Sequence, residues 1–169
     1  MMFSTKAEYG VRVMAHLARQ ADGRSSGADG AEQPISLGSI ADAEGLPLAY
    51  LEHLVQRLRK ADLVASRRGA HGGYTLARPA DDITMAEVVA ALEGEIAPIE
   101  CITADADGVL TCTREDTEPC PTKLLWTRVQ GSIVRTLNDM TLDDLVQPLR
   151  KTKSERGAGS PAEVTTQTV

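Results

Sequence analysis

Apolar residues recur three and four positions apart through most of this chain, the spacing of helices that bury one face. In "STKAEYGVRVMAHLARQA", Tyr9, Val13, His16 and Leu17, with Val11, Met14 and Ala18, make a broad apolar face. Thr5 with Glu8 three residues on reads as a capping box at its start. Residues 22–34, "DGRSSGADGAEQP", lose all periodicity and are rich in Gly, Ser and Asp, so they read as a flexible loop. Periodicity returns in "ISLGSIADAEGLPLAYLEHLVQRLRKADLV". Ser39 opens a short helix ending near Ala43, Gly45 makes a tight turn, and Pro47 suits the first turn of a second helix that runs to about Ala61. Leu48, Leu51, Leu54, Val55 and Leu58 are its expected buried stripe. Two helices joined by a short glycine-containing turn form a helix-turn-helix.

The pattern then changes period. "LVASR" and "YTLAR" read as strands around the glycine-bearing tip "RGAHGG", a hairpin. A helix-turn-helix followed by such a hairpin is a winged helix. "ITMAEVVAALEG" predicts another short helix, with Thr84 and Glu87 as its capping box. "PTKLLWTRVQGSIVRTLNDM" predicts a long helix with Pro121 in its first turn and an apolar stripe of Leu124, Leu125, Val129, Ile133, Val134 and Leu137. That stripe exceeds what a small winged helix can cover, so it is expected to pack on a second copy, with Trp126 anchoring it. "TLDDLVQPL" predicts a last short helix. The expected fold is mainly α with a small β-wing: a winged helix-turn-helix plus a long dimerisation helix. The expected organisation is a DNA-binding domain over 1–80, a ligand-binding loop and dimerisation helix over 81–148, and a disordered tail over 149–169.

Composition adds a constraint. Aromatic residues are only 3% of the chain, so the core must be built from aliphatic side chains and methionine. No apolar run is long enough to span a membrane, and the first residues lack the apolar stretch of a secretory signal, so a cytoplasmic location is expected. Net charge is −6, but it is unevenly spread: residues 1–80 carry ten Lys and Arg against eight Asp and Glu, and residues 81–169 carry eight against sixteen. Such asymmetry assigns different tasks to the two halves. No nucleotide-binding glycine motif and no nucleophile with a base partner is present, so the chain is not expected to be an enzyme.

The candidate chemistry lies at two places. The second helix of a helix-turn-helix enters the major groove of double-stranded DNA with its N-terminal residues against base edges, which selects Ala49, Tyr50, Glu52 and His53. Glu52 can accept from a cytosine amino group. Arg57, Arg59 and Lys60 would lie toward the phosphate backbone, although "QRLRK" is also what a solvated helix face looks like. Arg67, Arg68 and His71 sit on a wing tip narrow enough to approach a minor groove. The second place is "ECITADADGVLTCTREDTEPCPT", residues 100–122, which holds every cysteine of the chain: Cys101, Cys112 and Cys120. Thiolates suit iron–sulfur clusters, zinc and copper(I). The spacings, ten residues then seven, are too open for the tight cysteine pairs of structural zinc. The segment itself looks unable to fold alone, and a bound cluster would supply the missing order. A redox-active thiol set is the alternative.

Several strings now carry a resemblance. "STKAEYGV", "LAYLEHLVQRLRKADLV", "RRGAHGGYTLAR", "ITMAEVVAALEG" and "CPTKLLW", spread over residues 3 to about 148, resemble the IscR/NsrR-type family of winged-helix iron–sulfur transcriptional regulators. The resemblance implies a homodimer on a palindromic operator, with DNA binding controlled by a two-iron or four-iron cluster on the three cysteines. It also bears on the fourth ligand. IscR-like members carry a histidine three residues after the last cysteine, where this chain has Lys123, a protonated and poor ligand. NsrR-like members use an acidic residue on the first helix of the partner subunit, and the matching position is Glu8. A related redox-sensing member adds a histidine one helical turn later, where this chain has Arg12. The implied set is Cys101, Cys112, Cys120 and Glu8, with nitric oxide, oxygen, iron supply or cellular redox state as possible signals. A cluster-free regulator that responds through thiol oxidation or a protein partner is the alternative function.

Overall fold

The computed structural model describes residues 3–24, 33–69, 72–94, 102–104, 110–112 and 121–147. The first helix, α1 (Thr5–Arg24), runs three residues into the stretch expected to be a loop; residues 25–32 of that stretch lie outside the described residues. Its start differs from the expected Thr5–Glu8 capping box. Ser4 takes that place: its Oγ accepts from the backbone N–H of Lys6 at 3.1 Å, and its own N–H and hydroxyl donate to Oε1 of Glu93. A carboxylate from across the fold therefore anchors the helix start, and Glu8 is left out of the cap.

The helix-turn-helix follows. α2 (Leu37–Glu44) starts two residues before the expected Ser39, because Ser36 is the cap and accepts from the N–H of Ser39 at 3.1 Å. Gly45 ends it in the left-handed region, φ 64°, a conformation that a Cβ disfavours. α3 (Leu48–Lys60) follows directly, with Pro47 as its cap residue and Ala61 closing it. Leu51, Leu54, Val55 and Leu58 are buried as expected, but Leu48 is 45% exposed. It occupies the first helical position, beyond the turn against which the stripe packs.

β1 (Val64–Arg67) and β2 (Gly73–Leu76) form the antiparallel wing, with Val64 opposite Leu76 and Arg67 opposite Gly73. Ile35, just before α2, pairs with Tyr74 through two backbone hydrogen bonds of 3.0 and 2.9 Å, so the wing is tied to the helix-turn-helix. Gly73 is required there: a Cβ on it would lie 2.4 Å from the Ile35 carbonyl oxygen. After a 3₁₀ turn (Ala80–Asp82), α4 (Met85–Glu93) begins with the expected capping box, Thr84 and Glu87 bonding reciprocally.

The cysteine segment contains more order than its composition suggests. β3 (Ile102–Ala104) and β4 (Leu110–Cys112) pair antiparallel, with Ile102 opposite Cys112. α5 (Lys123–Asp139) begins two residues after Pro121, with Thr122 at its cap. None of its apolar side chains is buried: Leu124 and Leu125 are exposed, and Trp126, Val129, Ile133, Val134 and Leu137 are half-buried. A last helical segment, residues 142–147, opens with Thr141 and Asp144 capping each other. It returns to the start of α4, where the Met85 N–H donates to Met140 O and the Leu142 N–H to Ile83 O, both at 2.8 Å.

One apolar core joins these parts. Val13, Met14 and Leu17 of α1, Ile40 of α2, Leu51, Leu54 and Leu58 of α3, Val88 and Leu92 of α4, and Leu142 and Val146 near the end pack in one cluster. Residues on both sides of position 80 contribute to it, so the expected boundary at 80 does not separate two cores. Among the described residues no helix is long and apolar enough to cross a membrane.

Candidate nucleic-acid interface and ligand segment

The burial of four side chains fixes how α3 presents the rest. With Leu51, Leu54, Val55 and Leu58 turned to the core, Leu48, Ala49, Glu52, His53, Gln56, Arg59 and Lys60 are exposed. Two of the expected DNA-contacting residues have partners inside the protein. Tyr50 is half-buried, its ring meeting that of Tyr9 edge to face at 5.8 Å. Arg57 donates from Nη1 to the Leu92 carbonyl at 3.1 Å, which joins α3 to the end of α4. Leu48 and Gln56 were missed as candidates. Spacing from Glu52 could have found both, since they lie one helical turn before and after it.

On the wing, Arg67 and Arg68 are exposed and in no side-chain hydrogen bond or ion pair among the described residues. They line one side of an open cleft of about 630 Å³, with Gly69 and Gly72; Gln33, Pro34 and Ser36 form the other side. His71 lies outside the described residues. Free guanidinium groups beside a polar cleft at the wing tip suit phosphate oxygens. These arginines, with Arg59 and Lys60, give the acidic chain a local cationic edge.

A cluster the sequence did not reveal holds α1 to the helix-turn-helix. Arg12, His16 and Arg19, one turn apart on α1, converge on Glu44, the last residue of α2. Arg12 donates to Oε2 at 3.2 Å and to the Glu44 carbonyl at 2.5 Å, His16 Nδ1 lies 2.9 Å from Oε1, and Arg19 donates to Oε1 at 2.8 Å. Burial pushes the Glu44 carboxyl up, but the hydrogen bonds from His16 and Arg12 and the charges of Arg19 and His16 more than offset it and hold the group below its ordinary 4.5. Glu44 is thus ionised and accepts only, so Nδ1 of buried His16 carries the bonding proton. Arg12 also lies over the Tyr9 ring, 6.0 Å from its centre. Its guanidinium is committed to this junction.

Glu8, four residues before Arg12, is exposed, and its side chain takes part in no hydrogen bond or ion pair among the described residues. Of the three cysteines, Cys112 ends β4, and the register places it across from Ile102, the neighbour of Cys101 in sequence. Cys101 and Cys120 lie outside the described residues.

Comparison with known proteins agrees with this architecture. The Rrf2 family model, described as an iron-dependent transcriptional regulator, matches residues 3–148. The chain is 38% identical over 147 residues to protein rrf2 of Nitratidesulfovibrio vulgaris, covering 87% of this chain and 88% of that protein. The structure of CymR, the global cysteine regulator of B. subtilis, superposes with a TM-score of 0.65 at 40% identity, covering 86% of this chain and 95% of that one. The structure of T. potens IscR superposes with a TM-score of 0.66 at 33% identity, covering 96% and 94%. With a winged helix presenting a cationic edge and a family model that matches residues 3–148, the chain belongs to the Rrf2 family of transcriptional regulators.

Proposed function

We propose that this chain is a cytoplasmic, homodimeric regulator of transcription whose affinity for a palindromic operator is set by an iron–sulfur cluster on Cys101, Cys112 and Cys120, with Glu8 of the partner subunit as the fourth ligand. The observation that carries the reading is the unengaged, exposed carboxylate of Glu8, four residues before Arg12, whose guanidinium is committed to Glu44. The donor set fits the group: three thiolates and one carboxylate are ligands iron accepts. The β3–β4 pairing also fits, because it brings Cys112 beside the strand that Cys101 precedes. When bound, such a cluster supplies a centre that redox change, iron loss or nitric oxide can alter.

The chain's own residues then have separable tasks. The exposed apolar side of α5, led by Leu124 and Leu125, seats the second subunit. Glu8 reports on the cysteine segment. The junction of Arg12, His16 and Arg19 with Glu44 holds α1 rigidly to α2, so a pull on Glu8 is felt by the helix-turn-helix. Ala49, Glu52 and His53 face base edges, and Arg59, Lys60, Arg67 and Arg68 face phosphates.

A second reading, a cluster-free regulator that responds through its thiols, is favoured by the likeness to a cysteine regulator. Purification under nitrogen separates the two. Visible absorbance with matching iron and sulfide, lost in Cys101→Ser, Cys112→Ser and Cys120→Ser, supports the cluster. Colourless, iron-free protein whose DNA binding changes with a thiol oxidant supports the second reading and refutes the first.

A further inference from the structure

The reading helix begins with two apolar residues that belong to no core. Leu48, the first residue of α3, is 45% exposed, and Ala49 beside it is exposed too. A single exposed leucine is ordinary on a protein surface and implies nothing. This one stands at the end of the helix whose first turn approaches base edges in the proposed docking. Its mounting is also rigid. Gly45 fixes the turn in the left-handed region, Leu46 is buried, and Pro47 holds φ at −64° immediately before the tip. Glu52 lies one helical turn beyond Leu48 on the same flank, so a polar contact follows the apolar one along the helix.

We propose that Leu48, with Ala49, is an apolar reading tip that selects thymine through its C5-methyl group. Thymine is the one base that offers a methyl in the major groove; the other edges there present nitrogen and oxygen donors and acceptors. A leucine pressed on those groups strips their water and returns no hydrogen bond, which disfavours every other base. Burial of one methyl is worth about four-fold in affinity per half-site, from the transfer free energy of a single carbon. The proposal rests on the docking of α3 in the major groove.

The methyl can be removed from the DNA without touching the protein. A duplex is selected from a random-sequence pool by the full-length wild-type dimer, and each thymine in turn is replaced by deoxyuridine. The expected result is one thymine per half-site at which the replacement weakens binding about four-fold. Leu48→Ala should bind the thymine duplex more weakly and lose the difference between thymine and deoxyuridine at that position alone. Leu48→Val, which keeps a branched apolar tip, should retain part of it. The site is exposed, so circular dichroism of the variants should match the wild type. Failure to select any duplex would refute major-groove docking itself. A selected duplex with no thymine sensitive to deoxyuridine, or equal sensitivity in wild type and Leu48→Ala, would overturn the proposal while leaving the docking intact.

Discussion

Glu44→Ala tests whether the junction between α1 and the helix-turn-helix is a structural necessity. The substitution strips one carboxylate of three partners whose environments differ. Arg12 and Arg19 keep 41% and 39% of their side-chain exposure, so water can replace the lost contact, and pairs of that kind contribute only about 0.2–1 kcal/mol each. His16 keeps 10% and is left with a buried N–H facing no acceptor, which costs about 1–3 kcal/mol. Together these give a loss of about 1.4–5 kcal/mol, dominated by the histidine. At about 2–4 °C per kcal/mol for a protein of this size, Tm should fall by roughly 3–20 °C. Urea titration followed by far-ultraviolet circular dichroism measures the loss, provided the slope is unchanged. The decisive comparison is a double-mutant cycle. In a His16→Ala background Glu44→Ala should cost about 1–3 kcal/mol less than in the wild type, because the stranded donor is already gone. Additive effects, or a Glu44→Ala protein within about 0.5 kcal/mol of the wild type, would show that the junction is incidental.

Three further outcomes follow from the same physics. Gly10→Ala places a Cβ 2.1 Å from Leu92 Cδ1 between α1 and α4, and should destabilise by about 1–2 kcal/mol despite its better helix propensity; urea midpoints should show this penalty shrink when Leu92 is also changed to Val. Leu125→Glu with Ile133→Glu should turn the dimer into a monomer or insoluble protein, and a wild type that sediments as a monomer would refute the role of α5. Acid should destabilise the fold below about pH 4.5: Glu44, Glu87 and Glu93 are all held below that ordinary value, so their contributions are complete above it and are lost as pH falls through the lower folded values. Thr84→Val removes the hydroxyl but keeps the Thr84 backbone N–H, the larger of its two bonds to Glu87, so it should flatten only a small part of that dependence in urea midpoints measured from pH 6 to pH 3.

Most of the scaffold was legible because burial and period agree. The stripe Leu51, Leu54, Val55 and Leu58, the turn at Gly45 and the capping box Thr84–Glu87 each follow from local rules that the tertiary structure does not override. The differences come from contacts, made or missing, that lie beyond the local sequence. Thr5 and Glu8 have capping-box spacing, but Glu93 reaches Ser4 and moves the cap by one residue. The ring contact of Tyr50 with Tyr9, 41 residues away on another helix, likewise left no local signal. Leu48 is in phase with the buried stripe, yet nothing packs beyond the helix end. Glu44 gave no signal at all, since its three partners lie 25 to 32 residues away on another helix. For the cysteines, spacing and ligand chemistry spoke for a cluster, while the β3–β4 pairing was hidden in a polar, acidic stretch.

The coupling between Glu8 and the reading helices is tested most directly by affinity ratios. One selected duplex is titrated with the cluster-loaded and cluster-free forms of the wild type and of Glu8→Gln, all as dimers under nitrogen. The account predicts a wild-type ratio between the two forms of about 5- to 150-fold, the usual range of allosteric coupling, and a ratio much closer to one in Glu8→Gln. Equal ratios in the two proteins would contradict the role of Glu8, and a wild-type ratio of one would contradict regulation by the cysteine segment altogether.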